Sequence, residues 1–308
     1  MAQVKTMLLL AIAAAIASAS CGQADLSATG QDWREITFDV VDDKPMLAAR
    51  VDETSGRMMF DTGTPETVFL NRDAVPLPDG QVVGNGFAAS GQPIEVRLHQ
   101  APLIQVDGMA IATESAVVSG DFGFAEVMFG ADFLGFIGLP AVQDGAFALD
   151  YRRGVLTLFR TDDHGALVVP PPAARDVVAN LTFALIPGEQ PTTGAFIGSL
   201  PVLLDFDTGD SGTLYLRPET RARLLADGTL TITTNLASLS GVTFGGASFD
   251  GLTVRLVEAG GPNDKRPWPG SDALRLGAAF LMDHPSLWNF PAGTITILHP
   301  DAGFLAPR

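Results

Sequence analysis

The stretch Phe60-Asp61-Thr62-Gly63-Thr64-Pro65-Glu66-Thr67-Val68-Phe69-Leu70 lines up with Phe206-Asp207-Thr208-Gly209-Asp210-Ser211-Gly212-Thr213-Leu214-Tyr215-Leu216, every pair 146 positions apart without a gap. A chain that repeats an apolar–turn–apolar pattern at such a distance is constrained to build one unit twice. Two more blocks follow in the same order. Gly130-Ala131-Asp132-Phe133-Leu134 matches Gly277-Ala278-Ala279-Phe280-Leu281, and Asp150 to Leu158 matches Asn289 to Ile297, keeping the glycine and the β-rich triplet after it. The copies are expected over 33–160 and 175–300, each about 125 residues and of ordinary domain size. Between them, 161–174 carries Pro170-Pro171-Pro172, which predicts an extended, semi-rigid connector. A two-lobed molecule follows, and the cleft between lobes is the natural place for a site.

Within each copy, Gly and Pro punctuate short runs rich in Val, Ile, Leu, Phe and Thr. Ile36 to Val40, Val155 to Phe159 and Thr294 to Leu298 alternate as strands do, whereas Pro218 to Ala226 reads as helix. The predicted class is all-β, two lobes related by a pseudo-twofold axis. Apolar residues make up 46% of the chain and charged ones 18%, enough for a sizeable core. The net charge of −16, with no run of lysine and arginine, argues against a nucleic-acid partner.

The first 20 residues read as an export signal. Lys5 precedes an apolar run from Met7 to Ala17, too short to span a bilayer comfortably but the right length for a signal core. Ala17-Ser18-Ala19 offers a cleavage site for release, while Ser18-Ala19-Ser20-Cys21 resembles a bacterial lipobox. Cys21 is the only cysteine, so an internal disulfide is excluded and lipidation would give it a use. The expectation is a protein of the bacterial envelope, periplasmic or held as a lipoprotein through Cys21, with free secretion as the other outcome. About a dozen residues separate Cys21 from Trp33, so removal of a long pro-segment is not expected.

One Asp-Thr-Gly is an ordinary turn. Two at equivalent places of a duplicated unit, each between apolar strands, are different, because symmetry can then bring two carboxylates face to face. Such a pair is costly without a purpose. On Asp61-Thr62-Gly63 and Asp207-Thr208-Gly209, with the hydrophobic-Gly blocks at Gly130 and Gly277, the chain resembles an aspartic protease of the pepsin/retropepsin superfamily. The form it resembles is the single-chain, two-lobed bacterial one, over nearly the whole mature chain. The resemblance implies Asp61 and Asp207 as the catalytic pair, Thr62 and Thr208 as a clasp between the loops, and Gly63 and Gly209 as their turns. It also implies activation of a water on a peptide or protein substrate, with no metal or organic cofactor. Membrane contact is expected only through the lipid anchor. A duplicated chain completes its own pair, so a monomer is expected.

Thr64 and Ser211 are read as support for the loops, Ser211 able to hydrogen-bond the Asp207 carboxylate. Gly209-Asp210-Ser211-Gly212 also resembles the nucleophile run of trypsin-like proteases, but no histidine motif accompanies it and Thr213 replaces the usual next glycine. His99, His164, His284 and His299 show no ligand spacing. Asp205 and Asp210 have no acidic counterpart in the first copy, where Met59 and Thr64 stand, and are candidate tuners of the pair's proton affinity. Residues 82–96, with Gly84, Asn85, Gly86 and Phe87 at the centre and Asn85-Gly86 as the turn, form a candidate flap hairpin. That hairpin has no tyrosine, where pepsin-like flaps carry one; the tyrosines are Tyr151 and Tyr215. The function expected is peptide-bond hydrolysis. The alternative is a weakly active or inactive peptide-binding protein that keeps the fold.

Overall fold

The structure, a computed structural model, describes residues 26, 30–87, 92–113, 115–183, 190–234, 236–258 and 272–306. The export signal and Cys21 lie outside the described residues. Lobe 1 runs β1 (Trp33–Val41), β2 (Lys44–Val51), β3 (Thr54–Asp61), β4 (Val68–Asn71), β5 (Gln81–Phe87), β6 (Pro93–Gln100), β7 (Ile104–Val106), β8 (Met109–Ala110) and β9 (Ala116–Gly120). It closes with helix α1 (Gly123–Phe129), β10 (Phe133–Gly138), β11 (Ala146–Asp150) and β12 (Val155–Phe159). Lobe 2 runs β13 (Val177–Thr182), β14 (Thr192–Ile197), β15 (Leu200–Phe206), β16 (Thr213–Tyr215), helix α2 (Pro218–Ala226), β17 (Leu230–Thr233), β18 (Leu236–Leu239) and β19 (Val242–Phe244). Then come β20 (Ala247–Phe249), β21 (Leu252–Leu256), β22 (Ala273–Leu276), helix α3 (Ala278–Leu281), β23 (Ser286–Asn289) and β24 (Thr294–Leu298). The all-β expectation is met, and Pro218 to Ala226 is the helix the sequence predicts.

The duplication is visible as topology. Lobe 1 orders its strands β2-β3-β10-β4-β9-β6-β5, and lobe 2 repeats the order as β14-β15-β22-β16-β21-β18-β17. In each, one late strand inserts between two early ones. β10 lies parallel to β3 and antiparallel to β4, as β22 lies against β15 and β16. The loop joining the early strands therefore passes over the end of the inserted strand. Glycine is needed at that crossing: a Cβ on Gly138 would come within 2.0 Å of the Glu66 carbonyl, and one on Gly277 within 2.0 Å of the Asp210 carbonyl.

This crossing corrects one block of the predicted repeat. The counterpart of Gly277 is Gly138, 139 residues earlier, and not Gly130, which caps α1 on the far side of β10. The two pentapeptides look alike because each borders a short helix, where small and apolar residues serve equally well. The block at Asp150 and Asn289 also has an offset of 139, and there β11–β12 and β23–β24 are equivalent hairpins.

A six-stranded antiparallel sheet, β13-β24-β23-β11-β12-β1, joins the lobes, with β11 and β23 meeting at its centre. Phe147 of β11 sits opposite Trp288 of β23 and stacks on it at 5.3 Å. Phe60, just before Asp61, packs edge-on to Phe147 at 5.4 Å, and Phe206, just before Asp207, packs edge-on to Trp288 at 5.7 Å. All four rings are fully buried, so each strand that ends in an aspartate rests on one shared aromatic floor. The connector after β12 turns back at Asp162, whose N–H donates to the Ala166 carbonyl at 2.8 Å, and Val169 is buried beside Phe159 and Phe304.

β5 and β6 form a hairpin at the edge of lobe 1, as expected for the candidate flap. Its turn is not Asn85-Gly86. Those residues are inside β5, opposite Glu95 and Ile94, and the connection at 88–91 lies outside the described residues. Gly84 falls at a bulge, where the register shifts between Val82 and Gly84, and such an irregularity accommodates a glycine pair better than regular strand does.

Candidate active site

Asp61 ends β3 and Asp207 follows β15, so the shared floor delivers both to the same place. In each loop the backbone turns back on the aspartate: Gly63 N–H donates to Asp61 Oδ1 at 2.8 Å, and Gly209 N–H donates to Asp207 Oδ1 at 2.9 Å. The same glycines face the opposite lobe. A Cβ on Gly63 would lie 2.5 Å from Asp207 Oδ2, and one on Gly209 would lie 2.3 Å from Asp61 Oδ1. Each carboxylate is thus pressed against the other's loop, and only glycine leaves the room.

The threonines interlock. Thr62 N–H donates to Thr208 Oγ1 at 2.9 Å, and Thr208 N–H donates to Thr62 Oγ1 at 3.1 Å. Each hydroxyl then donates across the boundary to the carbonyl before the other aspartate, Thr208 to Phe60 at 2.7 Å and Thr62 to Phe206 at 3.4 Å. Both side chains are buried. Buried amides and carbonyls left unpaired here would be costly, so the clasp fixes the two loops relative to each other.

Beyond this frame the lobes differ. Asp61 Oδ2 accepts a hydrogen bond from the Thr64 hydroxyl at 2.7 Å. At the equivalent place in lobe 2, Asp210 turns away to accept from Gly212 N–H at 2.8 Å and Thr213 Oγ1 at 2.9 Å. Asp207 Oδ2 instead meets Arg275 Nη1 at 2.9 Å. Ser211 does not serve Asp207 as expected; its hydroxyl accepts from Lys44 Nζ at 3.0 Å, because the arginine already occupies the free carboxylate oxygen.

Asp205, read as a tuner, is itself paired: Arg275 Nε and Nη2 donate to its two oxygens at 2.9 and 2.7 Å. Burial first, then the charge of Asp61, push the Asp207 carboxyl above the usual carboxylate range, Arg275 opposing and Asp210 and Asp205 adding to the rise. Cation and carboxylate compete here, and the loss of water around Asp207 decides the direction.

Three of these residues escaped the sequence reading: Arg275, Lys44 and Gln190. Gln190 donates from Nε2 to the Thr62 carbonyl at 3.1 Å and accepts from Arg275 Nη2 at 2.8 Å. Lys44 and Gln190 are themselves 146 apart, and each is followed by proline. The gap-free match extends back to them, because β2 pairs β3 in the same register as β14 pairs β15. Arg275 is two residues before Gly277, the place Phe136 takes before Gly138, and the offset of 139 would have singled it out.

Among the described residues, the hydrogen-bond partner of the Ser211 hydroxyl is Lys44 and not a histidine. His99 is buried between the Pro78 carbonyl and the Ser119 hydroxyl, and His284 packs on Phe280. Among the described residues, no cluster of histidine, cysteine, aspartate and glutamate is placed to hold a metal ion.

No family model matches the chain, and no curated protein matches it in sequence. In fold it is similar to the crystal structure of aspartic proteinase from Irpex lacteus, with a TM-score of 0.50 over 89% of this chain and 98% of that one. The identity is 12%, so the likeness is one of fold: two β lobes of the pepsin-like kind.

Proposed function

We propose that this protein is an aspartic-type endopeptidase, hydrolysing peptide bonds with a water activated by Asp61 and Asp207. The observation that carries the reading is the pair itself: two carboxylates on equivalent loops, each against the other's glycine, with the loops clasped through Thr62 and Thr208. Two such groups in a dry site cannot both ionise readily, so they share one proton, as aspartic proteases do. The ionised member takes a proton from water, whose oxygen attacks the scissile carbonyl carbon, while the protonated member donates to the carbonyl oxygen. When the tetrahedral carbon collapses, the C–N bond breaks and the departing nitrogen receives a proton from the pair. The two carboxyls titrate as a unit, and their roles are assigned to the pair. An extended peptide lying as a strand between the loops and the β5–β6 hairpin is the substrate form the reading implies. The leader and Cys21 extend it to an exported enzyme of the envelope.

Incubation with a diverse peptide mixture from about pH 3 to about pH 8 tests this, with and without Asp61→Asn. Cleavage by the native chain is expected to fall by about 10²–10⁴-fold in the variant, the range for loss of a general acid or base. Cleavage that survives unchanged would refute the mechanism. A second reading, peptide binding without turnover, draws on Arg275, whose guanidinium already occupies Oδ2 of one member of the pair. Retention of peptides with no cleavage at any pH would favour it.

A further inference from the structure

Arg275 is buried, its side chain 11% exposed, and every contact it makes points inward. In the parallel register of β15 and β22 it stands directly beside Asp205. Nε and Nη2 clasp that carboxylate, Nη2 also reaches Gln190, and Nη1 is left for Asp207 Oδ2. An arginine whose fork is filled in this way has no face left to grip a substrate carboxylate. In lobe 1 the same register position pairs Met59 with Phe136, two apolar side chains, and the free oxygen of Asp61 meets a hydroxyl. The geometry points to Arg275 as a positioning residue for the acid pair: it holds Asp207 by Oδ2, the oxygen that the Gly209 N–H does not bond, makes the two carboxylates unequal, and sets the pH range in which the pair carries one proton. This rests on the site being the hydrolytic pair proposed above.

The groups facing Asp207 fix the sign. Asp61 from the opposite loop, Asp210 from its own loop and Asp205 from β15 are acidic and favour retention of the proton. Arg275 from β22 favours its release. Lys44 of β2 lies one residue group further out, on Ser211, and Tyr151, whose phenol burial and both aspartates hold in the protonated form, adds no charge. Removing the cation must therefore raise the range, whereas removing Asp205 frees the cation and must lower it. A side chain that only filled space would not give shifts of opposite sign.

The test uses the full chain with ¹³C-labelled aspartate carboxyls, titrated by NMR, in the native protein, Arg275→Gln, Asp205→Asn and the double variant Asp205→Met with Arg275→Phe. The double variant copies the Met59–Phe136 pair of lobe 1 and, unlike Arg275→Gln, leaves no Asp205 charge stranded, so it serves if Arg275→Gln fails to fold. Relative to the native protein, the inflections of the pair are expected to rise by roughly 1 pH unit or more in Arg275→Gln, to rise by less in the double variant, and to fall by about half a unit in Asp205→Asn. The pH profile of peptide cleavage should move with them. Unmoved inflections in the double variant, or shifts of one sign in both single variants, would overturn the proposal. Inflections that move as stated while the native chain cleaves nothing would sink the hydrolytic reading and leave the role of Arg275 standing.

Discussion

In lobe 1, Asp61 is held by one amide and one hydroxyl; in lobe 2, Asp207 is held by one amide and one guanidinium. The halves agree wherever the backbone is at stake and diverge where only a side chain is. Glycines sit in both loops and at both strand crossings because a Cβ would strike backbone or carboxylate. Threonines sit at both clasps because each satisfies buried groups of the other lobe. The inner pairs, Met59–Phe136 and Asp205–Arg275, are free to differ because either can fill a cross-strand position. A buried ion pair brings no clear gain in stability over apolar side chains of similar size. The charge in lobe 2 is therefore better explained by what it does to Asp207.

The glycines of the two loops tolerate change least. Gly63→Ala and Gly209→Ala each drive a methyl group into the facing carboxylate, at 2.5 and 2.3 Å, and both should lower peptide cleavage by more than about 100-fold, since small misplacements of reacting groups are that costly. Equal losses in the two variants would sharpen the symmetry; a loss in one alone would break it.

The threonines come next, and here the lobes should separate. Thr208→Val strands the Thr62 amide and the Phe60 carbonyl, bonded at 2.9 and 2.7 Å, and should cost about 2–4 kcal/mol in denaturant unfolding. Thr62→Val strands the Thr208 amide and a Phe206 carbonyl that is 3.4 Å away, and should cost about 1–3 kcal/mol. The reverse order would mean that the hydroxyl geometry misleads.

The smallest effect concerns Asp132 and Asp272, equivalent because their carbonyls accept from Arg57 and Leu203, which are 146 apart. Asp132 shares an exposed pair with Arg57, whose hydrogen bond lowers its pKa. Asp272 is buried, which works against its charge, yet bonds from Arg217 and Thr220 bring its pKa below the usual range. Asp272→Asn should cost about 1–2 kcal/mol and Asp132→Asn less than about 1 kcal/mol. A carboxyl with a depressed folded-state pKa stabilises fully above its unfolded pKa and loses that contribution as pH falls through the folded value. The gap between native protein and Asp272→Asn should accordingly close below about pH 4, measured as unfolding free energy against pH.

The duplication, the all-β class and the two loops are legible in the order of residues alone, because backbone requirements leave fixed marks: glycine where atoms collide, apolar alternation where a strand has an inside. The 146-residue offset, gap-free, led to both aspartates and both threonines. Local pattern misled at Gly130, matched to Gly277 across 147 residues, where composition imitated a repeat, and at Asn85-Gly86, where a good turn pair was absorbed into a bulged strand. What surrounds Asp207 depends on the folded sheet. Arg275 is 68 residues from it in sequence and reaches it because β22 inserts beside β15. Lys44 meets Ser211 from 167 residues away, across the boundary between lobes. Such contacts depend on which strand lies next to which, and a charge in a strand carries no mark of its future neighbour until the sheet order is known.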